Sequence, residues 1–296
     1  MILTAFDCRF CIPGNLNRSI VRKSGFAIIK KDMLLLLALG GFWMSKNVFI
    51  GRFLGSNYDV ECQLDYYLRE KADRYLKEQA EKKAETGTLA EVEERKKSLK
   101  ETFLHAIGGL DMERTPLNAV CVGTVAREGY EIQKIIFESR PGFYVTANLY
   151  LPPDNDEKHP GIPMGCGHSD TGKAAPLYQK VCIDLARCGF VVLIIDPTGQ
   201  GERRNYYDRN SGRHLIRSRT TEHSYLGLKC QLAGSNIDRY FIWDLMRAMD
   251  YLVSLPQVDP ERVGMTGNSG GGGQTLRMMM LDPRVKVAAP CCYPCS

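Results

Sequence analysis

Val263-Gly-Met-Thr-Gly-Asn-Ser-Gly-Gly-Gly-Gly273 decides how this 296-residue chain is read: a short apolar strand, a very sharp turn and the start of a helix. Within it, Gly267 lies two residues before Ser269 and Gly271 two after. A serine that must stand clear of the backbone as a nucleophile occupies a strained turn, and bulky side chains at those two positions would block it. A helix starting directly behind the serine aims its first N–H groups at negative charge forming on a reacting oxygen. The flanks agree. Asp259-Pro-Glu-Arg-Val263 is a turn leading into the strand, Gln274 to Leu281 is helical, and Val285 to Ala289 reads as the next strand. The plain alternative is a glycine-rich turn with an incidental serine. A phosphate-cradling loop would end in Gly-Lys-Ser/Thr, and no such ending follows these glycines.

Working outward, residues 1–56 show no clean period and read as an uncertain N-terminal extension. A helical segment spans 57–117. Leu64, Tyr67, Leu68, Ala72, Tyr75 and Leu76 recur at three- and four-residue steps. Gly87 breaks that helix, Thr88 with Glu91 forms a capping box for a second one, and Gly108-Gly109 ends it. The pair is expected to be a lid or brace. From residue 118 to 296 the pattern is that of an α/β core. Ala119 to Ala126 and Tyr130 to Ser139 form a hairpin about Glu128-Gly129, and Phe143 to Leu151 alternates as a third strand. Strand and helix then alternate: Ile162 to Cys166, a helix over Ala174 to Cys188, and the wholly apolar Phe190 to Ile195 of a buried parallel strand. An excursion over 197–236 precedes a helix at Ile237 to Leu255 and the elbow strand. Antiparallel strands followed by βαβαβ imply a mixed, mostly parallel sheet flanked by helices.

Composition is that of an ordinary globular protein, 44% hydrophobic and 25% charged, long enough for one large core. The net charge of +5 is mild, and the lysines from Lys77 to Lys100 interleave with Glu81, Glu85, Glu91, Glu93 and Glu94. That describes a solvated helical face and argues against a nucleic-acid partner. Eleven cysteines do not have the spacing of a disulfide scaffold. Cys121, Cys166 and Cys291 fall in or beside apolar strands and Cys182 and Cys188 on a helix, so buried free thiols are expected. The run Cys291-Cys292-Tyr293-Pro294-Cys295 lacks a second Cys/His cluster that would complete a zinc site, and no metal or cofactor is expected. Free thiols favour the cytoplasm. The apolar run Met33 to Met44 after Lys30-Lys31 has the length of a signal-peptide core, which leaves export open, and it is too short for a membrane span.

In an open parallel sheet, reacting groups gather beyond the C-terminal strand ends. Three loops qualify. Gly165-Cys-Gly-His-Ser-Asp-Thr-Gly-Lys173 offers small residues and a histidine directly after a strand. Its backbone around His168 and Ser169 would supply one donor of an oxyanion hole and Gly270 the other. His168 precedes the serine and is expected to orient that turn, the alternative being a plain turn with an exposed histidine. Asp196-Pro-Thr-Gly-Gln-Gly-Glu-Arg203 brings Gln200 and Glu202 within reach of a substrate, or is simply a tight strand-to-helix turn. Thr220-Thr-Glu-His-Ser-Tyr-Leu-Gly227 carries His223 beside Glu222. Adjacent residues rarely aim at a common nucleophile, so a packed or exposed loop histidine is the expectation there.

The stretches Glu138 to Pro152, Gly167-His-Ser169, Asp196 to Glu202, Trp243-Asp244, Asp259 to Gly264 and Gly267 to Gly272 together resemble the acetyl xylan esterase-like branch of the α/β-hydrolases, related to cephalosporin-C deacetylases. The resemblance covers about residues 58–296. It implies an α/β-hydrolase fold and a metal-free serine esterase acting on acyl esters, acetyl esters among them, of small molecules or carbohydrates, with Ser269 as nucleophile and the backbones of Gly270 and the His168–Ser169 turn as oxyanion hole. Two motifs depart from characterised deacetylases, which favour Arg-Gly-Gln and Gly-x-Ser-Gln-Gly where this chain has Thr198-Gly-Gln and Gly267-Asn-Ser-Gly-Gly. The family order is serine, then acid, then histidine. Only 27 residues follow Ser269, and they contain one acid, Asp282, and no histidine. The expectation is therefore a hydrolase core lacking its C-terminal strands and helix, inactive by itself. The alternative is a non-catalytic hydrolase-like module that binds a sugar or a partner.

Overall fold

A computed structural model describes residues 53–54, 58–59, 62–153, 157–216 and 218–293. The apolar run Met33 to Met44 lies outside them. The described residues fall into two compact units divided between Glu85 and Thr86. The first holds a two-residue pairing of β1 (Phe53–Leu54) with β2 (Tyr58–Asp59) and helix α1 (Gln63–Ala84). No helix among the described residues is long and apolar enough to cross a membrane.

The second unit opens with α2 (Leu89–Ile107), whose ends are those the sequence specifies. The Thr88 side chain accepts from the Glu91 N–H while the Glu91 carboxylate accepts from the Thr88 N–H, and Gly108 closes the helix with φ +81°. One side of α2 enters the core through Ile107, with Phe103 and Leu104 packed beside it.

Seven strands form one sheet: β3 (Val120–Arg127), β4 (Tyr130–Arg140), β5 (Phe143–Leu151), β6 (His159–Gly165), β7 (Val191–Ile195), β10 (Val258–Asn268) and β11 (Val287–Cys291). Their order is β11-β10-β6-β7-β5-β4-β3. β3, β4 and β5 pair antiparallel, β5 joins β7 antiparallel, and β7, β6, β10 and β11 run parallel. β7 is buried along its whole length because helices cover both faces. Val191, Leu193 and Ile195 face a core shared with α5 (Ile237–Ser254) and α6 (Gly270–Leu281), while Val192 and Ile194 face α3 (Pro176–Arg187) through Cys182 and Ala186. Each such side chain contributes roughly 1.5–3 kcal/mol of burial. Helix α5 is tied across this core by Trp243, whose indole N–H donates to the Ser139 carbonyl at 2.7 Å.

Three expectations need correction. The segment Thr220 to Gly227 is not a loop but part of helix α4 (Arg219–Leu232), whose first turn is anchored by the buried Arg219 and Glu222. Asp259 to Arg262 belongs to β10, and the turn chemistry survives as a register shift between Asp259 and Val263. Of the thiols expected to be buried, Cys166 and Cys182 are, whereas Cys121 on edge strand β3, Cys291 on edge strand β11 and Cys188 at the end of α3 are exposed. Residues 197–216 carry a two-residue hairpin, β8 (Tyr207–Asp208) with β9 (Arg213–His214).

Candidate active site

β10 ends at Asn268 and α6 begins at Gly270, so Ser269 is the single residue between strand and helix. Its φ of 55° and ψ of −121° match the first central position of a type II′ turn, which glycine normally fills. A side chain held there stores strain of order 1–3 kcal/mol. Two hydrogen bonds fix the conformation: the Ser269 N–H donates to the Cys291 carbonyl at 2.9 Å, and the Gly273 N–H donates to the Ser269 carbonyl at 3.1 Å. Ser269 is exposed at the C-terminal edge of the sheet.

The glycines around it are steric requirements. A Cβ on Gly267 would lie 2.8 Å from the Gly165 carbonyl oxygen, and one on Gly271 would lie 2.6 Å from the Gly165 carbonyl carbon. The start of α6 thus rests directly on the end of β6. This crossing delivers the β6 loop to the serine, for a Cβ on Gly167 would come within 3.1 Å of the Ser269 Cβ.

Donor bookkeeping in that loop is selective. The Gly167 N–H donates to the buried Tyr178 hydroxyl at 2.7 Å, and the Ser169 N–H donates to Gln200 Oε1 at 3.2 Å. The His168 N–H, between them, has no acceptor among the described residues. The Gly270 N–H, first of α6, has no intrahelical partner by geometry. The His168 N–H belongs to the loop that packs on Ser269, and the Gly270 N–H directly follows Ser269 in the chain.

Gln200 is buried and engages the loop with both ends of its amide, since its Nε2 also donates to the Gly167 carbonyl at 3.2 Å. It braces the turn. Glu202 is exposed and pairs with Lys173 Nζ. Lys173 is buried against Asp196, whose carboxylate accepts from the Lys173 N–H at 2.8 Å, the Lys173 ammonium and the Thr146 hydroxyl. The ends of β6 and β7 are locked together by this buried ion pair.

Sequence reasoning missed a contact between the two histidines. His168 Nε2 lies 3.0 Å from His223 Nδ1, and His223 Nε2 lies 2.9 Å from the Thr198 carbonyl. A carbonyl only accepts, so His223 carries its proton on Nε2 and accepts at Nδ1. His168 must then donate from Nε2, and its Nδ1 keeps an open lone pair. That atom sits 3.4 Å from where a Cβ on Gly270 would stand. Burial lowers the pKa of both rings, and His223 is lowered further by His168, so the pair is neutral at pH 7. No spacing signal links residues 55 positions apart; only the expected placement of both segments beyond the strand ends hinted at it.

A cavity of about 110 Å³ opens beside Gly270, lined by His168, Gln200, His223, Phe241, Gln274 and Arg277. Arg277 is neutralised by Asp238 at 3.0 Å. No cluster of three His, Cys, Asp or Glu side chains among the described residues is placed to hold a metal ion.

The sheet order, the covering helices and the serine elbow define an α/β-hydrolase fold. The chain belongs to the acetyl xylan esterase (AXE1) family, whose profile matches residues 119–295. Among curated proteins it is 30% identical over 158 residues to the uncharacterised protein PA2218 of Pseudomonas aeruginosa, an alignment covering 53% of this chain and 35% of that one. It is 29% identical over 109 residues to the putative hydrolase YtaP of Bacillus subtilis, covering 37% and 31%. The chain thus spans about a third of the length of these relatives. Among solved structures, a putative acetyl xylan esterase from Bacteroides fragilis superposes with a TM-score of 0.56 at 16% identity, covering 69% of this chain and 54% of that one. The methylesterase BT1017 superposes at 0.54 with 25% identity, covering 71% and 44%.

Proposed function

We propose that the protein is a serine esterase that cleaves short acyl esters, acetyl above all, of carbohydrates. Ser269 Oγ attacks the ester carbonyl, the N–H groups of Gly270 and His168 receive the charge that develops on the carbonyl oxygen, and the sugar hydroxyl leaves to give an acyl-enzyme that water hydrolyses. The observation that carries this reading is the strained Ser269 between strand and helix, with the loop holding His168 packed against it and the His168 N–H left without an acceptor among the described residues. Each such donor is worth about 3–4 kcal/mol of transition-state stabilisation in acyl transfer. The cavity beside Gly270 is small, about 110 Å³, which supports a short acyl group. Gln200 acts by holding the oxyanion turn, and Glu202 faces solvent where a substrate would approach. Membership of an acetyl xylan esterase family and a methylesterase as structural neighbour support ester chemistry.

A serine hydroxyl is a weak nucleophile without an adjacent base. The chain has no histidine after Ser269, so turnover by these 296 residues is expected to stay near the background that an oxyanion hole supplies. The open Nδ1 lone pair of His168 favours one other reading, in which His168 takes the serine proton. Hydrolysis of p-nitrophenyl acetate by the purified chain and by Ser269→Ala and His168→Gln separates the two. Feeble turnover in all three supports the first reading. Robust turnover abolished by both substitutions supports the second. Robust turnover indifferent to Ser269→Ala refutes the nucleophile assignment.

A further inference from the structure

A second cavity, of about 650 Å³, shares the Asp196–Arg203 loop with the serine site: Thr198 lines it, and the carbonyl of the same residue holds His223. Its charge is unbalanced in a specific way. Arg239 on its wall pairs with Asp111 at 3.2 Å, and the neighbouring Arg203 pairs with the buried Asp244 at 2.8 Å. Arg140 pairs with no carboxylate among the described residues. Its one hydrogen bond is to the Met112 sulfur at 3.8 Å, a weak acceptor. The guanidinium lies 3.7 Å from the Phe143 ring centre and 4.6 Å from that of Tyr240, so its flat face is taken by aromatic rings and its N–H edge is left over. Burial lowers its pKa, helped by the neighbouring Arg203 and Arg239 and only partly offset by the buried Asp244 carboxylate. The remaining walls are largely apolar, with Leu226, Ala233 and Ile237 facing the same space, and the exposed Lys229 stands at the rim.

We propose that this cavity is a binding site, separate from the serine, for a monocarboxylate with an apolar body, such as an aryl carboxylate. The planar N–H edge of Arg140 matches a carboxylate in a two-point contact. One half-buried guanidinium that has no direct carboxylate partner but already feels the nearby Asp244 suits a single negative charge better than the double charge of a phosphate. The apolar walls suit a ring or short alkyl body more than a polyhydroxylated one, and 650 Å³ is within the usual size of small-ligand sites. The inference does not rest on ester hydrolysis, because its readout is binding.

Benzoate is the probe, with benzyl alcohol as its uncharged counterpart and inorganic phosphate as the competing anion, titrated by calorimetry into the full chain. Benzoate is expected to bind at least about tenfold more tightly than either, to lose about tenfold in Arg140→Gln, and to bind Ser269→Ala unchanged. Equal binding of benzoate and benzyl alcohol, phosphate binding as tight as benzoate, or indifference to Arg140→Gln would each overturn the proposal. Should Arg140→Gln fail to fold, backbone amide shifts in the wild-type chain decide. Benzoate must move the resonances of Arg140, Phe143 and Tyr240, and perturbation confined to other residues rejects the site.

Discussion

The four glycines that open α6 make an internally controlled test of how tightly the elbow is built. Replacing glycine by alanine in a helix is expected to stabilise by up to about 1 kcal/mol from propensity alone. At Gly271 that gain is opposed by geometry. The new Cβ would stand 2.6 Å from the Gly165 carbonyl carbon and 3.1 Å from that of Cys166, with the Gly165 oxygen nearer still. Restoring ordinary contact near 3.4 Å requires about 0.8 Å of separation for the carbonyl carbon alone and over ~1 Å for the nearer oxygen, against backbone atoms of a central strand that cannot rotate away. Overpacking of this kind costs roughly 1–3 kcal/mol, and rigid backbone on the receiving side puts it at about 3. The net expectation for Gly271→Ala is a loss of about 2 kcal/mol, or roughly 4–8 °C in Tm for a core of this size. Gly270→Ala meets His168 atoms at 3.4 Å and the Gly167 Cα at 3.6 Å, ordinary contacts, and should be neutral or stabilising by up to about 1 kcal/mol. Gly273→Ala meets the end of Arg277 and the Tyr293 ring at 2.7 Å, side chains that can move aside, so it should fall between the two. Thermal unfolding followed by circular dichroism ranks the three variants. A Gly271→Ala protein that melts at or above wild type would show that α6 does not rest on β6, and the placement of Ser269 would fall with it.

Ser269→Gly should raise Tm by about 2–4 °C, because releasing strain of about 1–3 kcal/mol outweighs the 0.5–1 kcal/mol that glycine costs in chain entropy; a lower Tm would mean that the turn is unstrained. The histidine pair predicts the pH response of stability. Burial lowers both pKa values below the free value near 6.5, so between the lowered values and about pH 6.5 the unfolded chain binds more protons and stability must rise with pH. Wild-type Tm should therefore drop on acidification below about pH 6.5, and His223→Gln should flatten that limb; parallel profiles would contradict the buried pair. Lys173→Met leaves the Asp196 carboxylate buried without its cation and should destabilise by about 3–5 kcal/mol in urea unfolding. A change under about 1 kcal/mol would show that Asp196 is solvated.

What the sequence disclosed follows from range. Residues whose partners are close in the chain declared themselves: the Thr88–Glu91 box, the Gly108 stop, the Gly129 hairpin and the elbow all depend on local backbone geometry. The uniform burial of Val191 to Ile195 was legible because a parallel strand covered on both faces has no polar side to reveal. Helix α4 was not, since its sequence mixes Thr, His, Ser and Gly, and it is held through Arg219 and Glu222 rather than by a periodic apolar stripe. The site divided in the same way. Ser269 and Gly270 were read from spacing, whereas the assignment of donors within Gly167 to Ser169 depends on Tyr178 and Gln200 arriving from other elements. The same holds for the His168–His223 bridge and for Lys173 on Asp196, which join the ends of different strands. Strand edges explain the thiols on β3 and β11: an apolar neighbourhood in sequence does not bury a cysteine on a strand that has a neighbour on one side only among the described residues.

The account stands on Ser269 as the acyl acceptor, and the acyl group itself can be followed. The purified chain, incubated with an activated acetyl ester at neutral pH, is digested and each serine scored for acetylation by mass spectrometry over time. With the proposed pair of N–H donors acting on the reacting carbonyl, Ser269 should be acetylated about 10²–10³-fold faster than the other exposed serines, even without an efficient base. The Ser269 adduct should persist, because deacylation also needs a base. Acetylation of Ser269 no faster than that of Ser211 or Ser254, which lie exposed in ordinary backbone, would contradict the central claim.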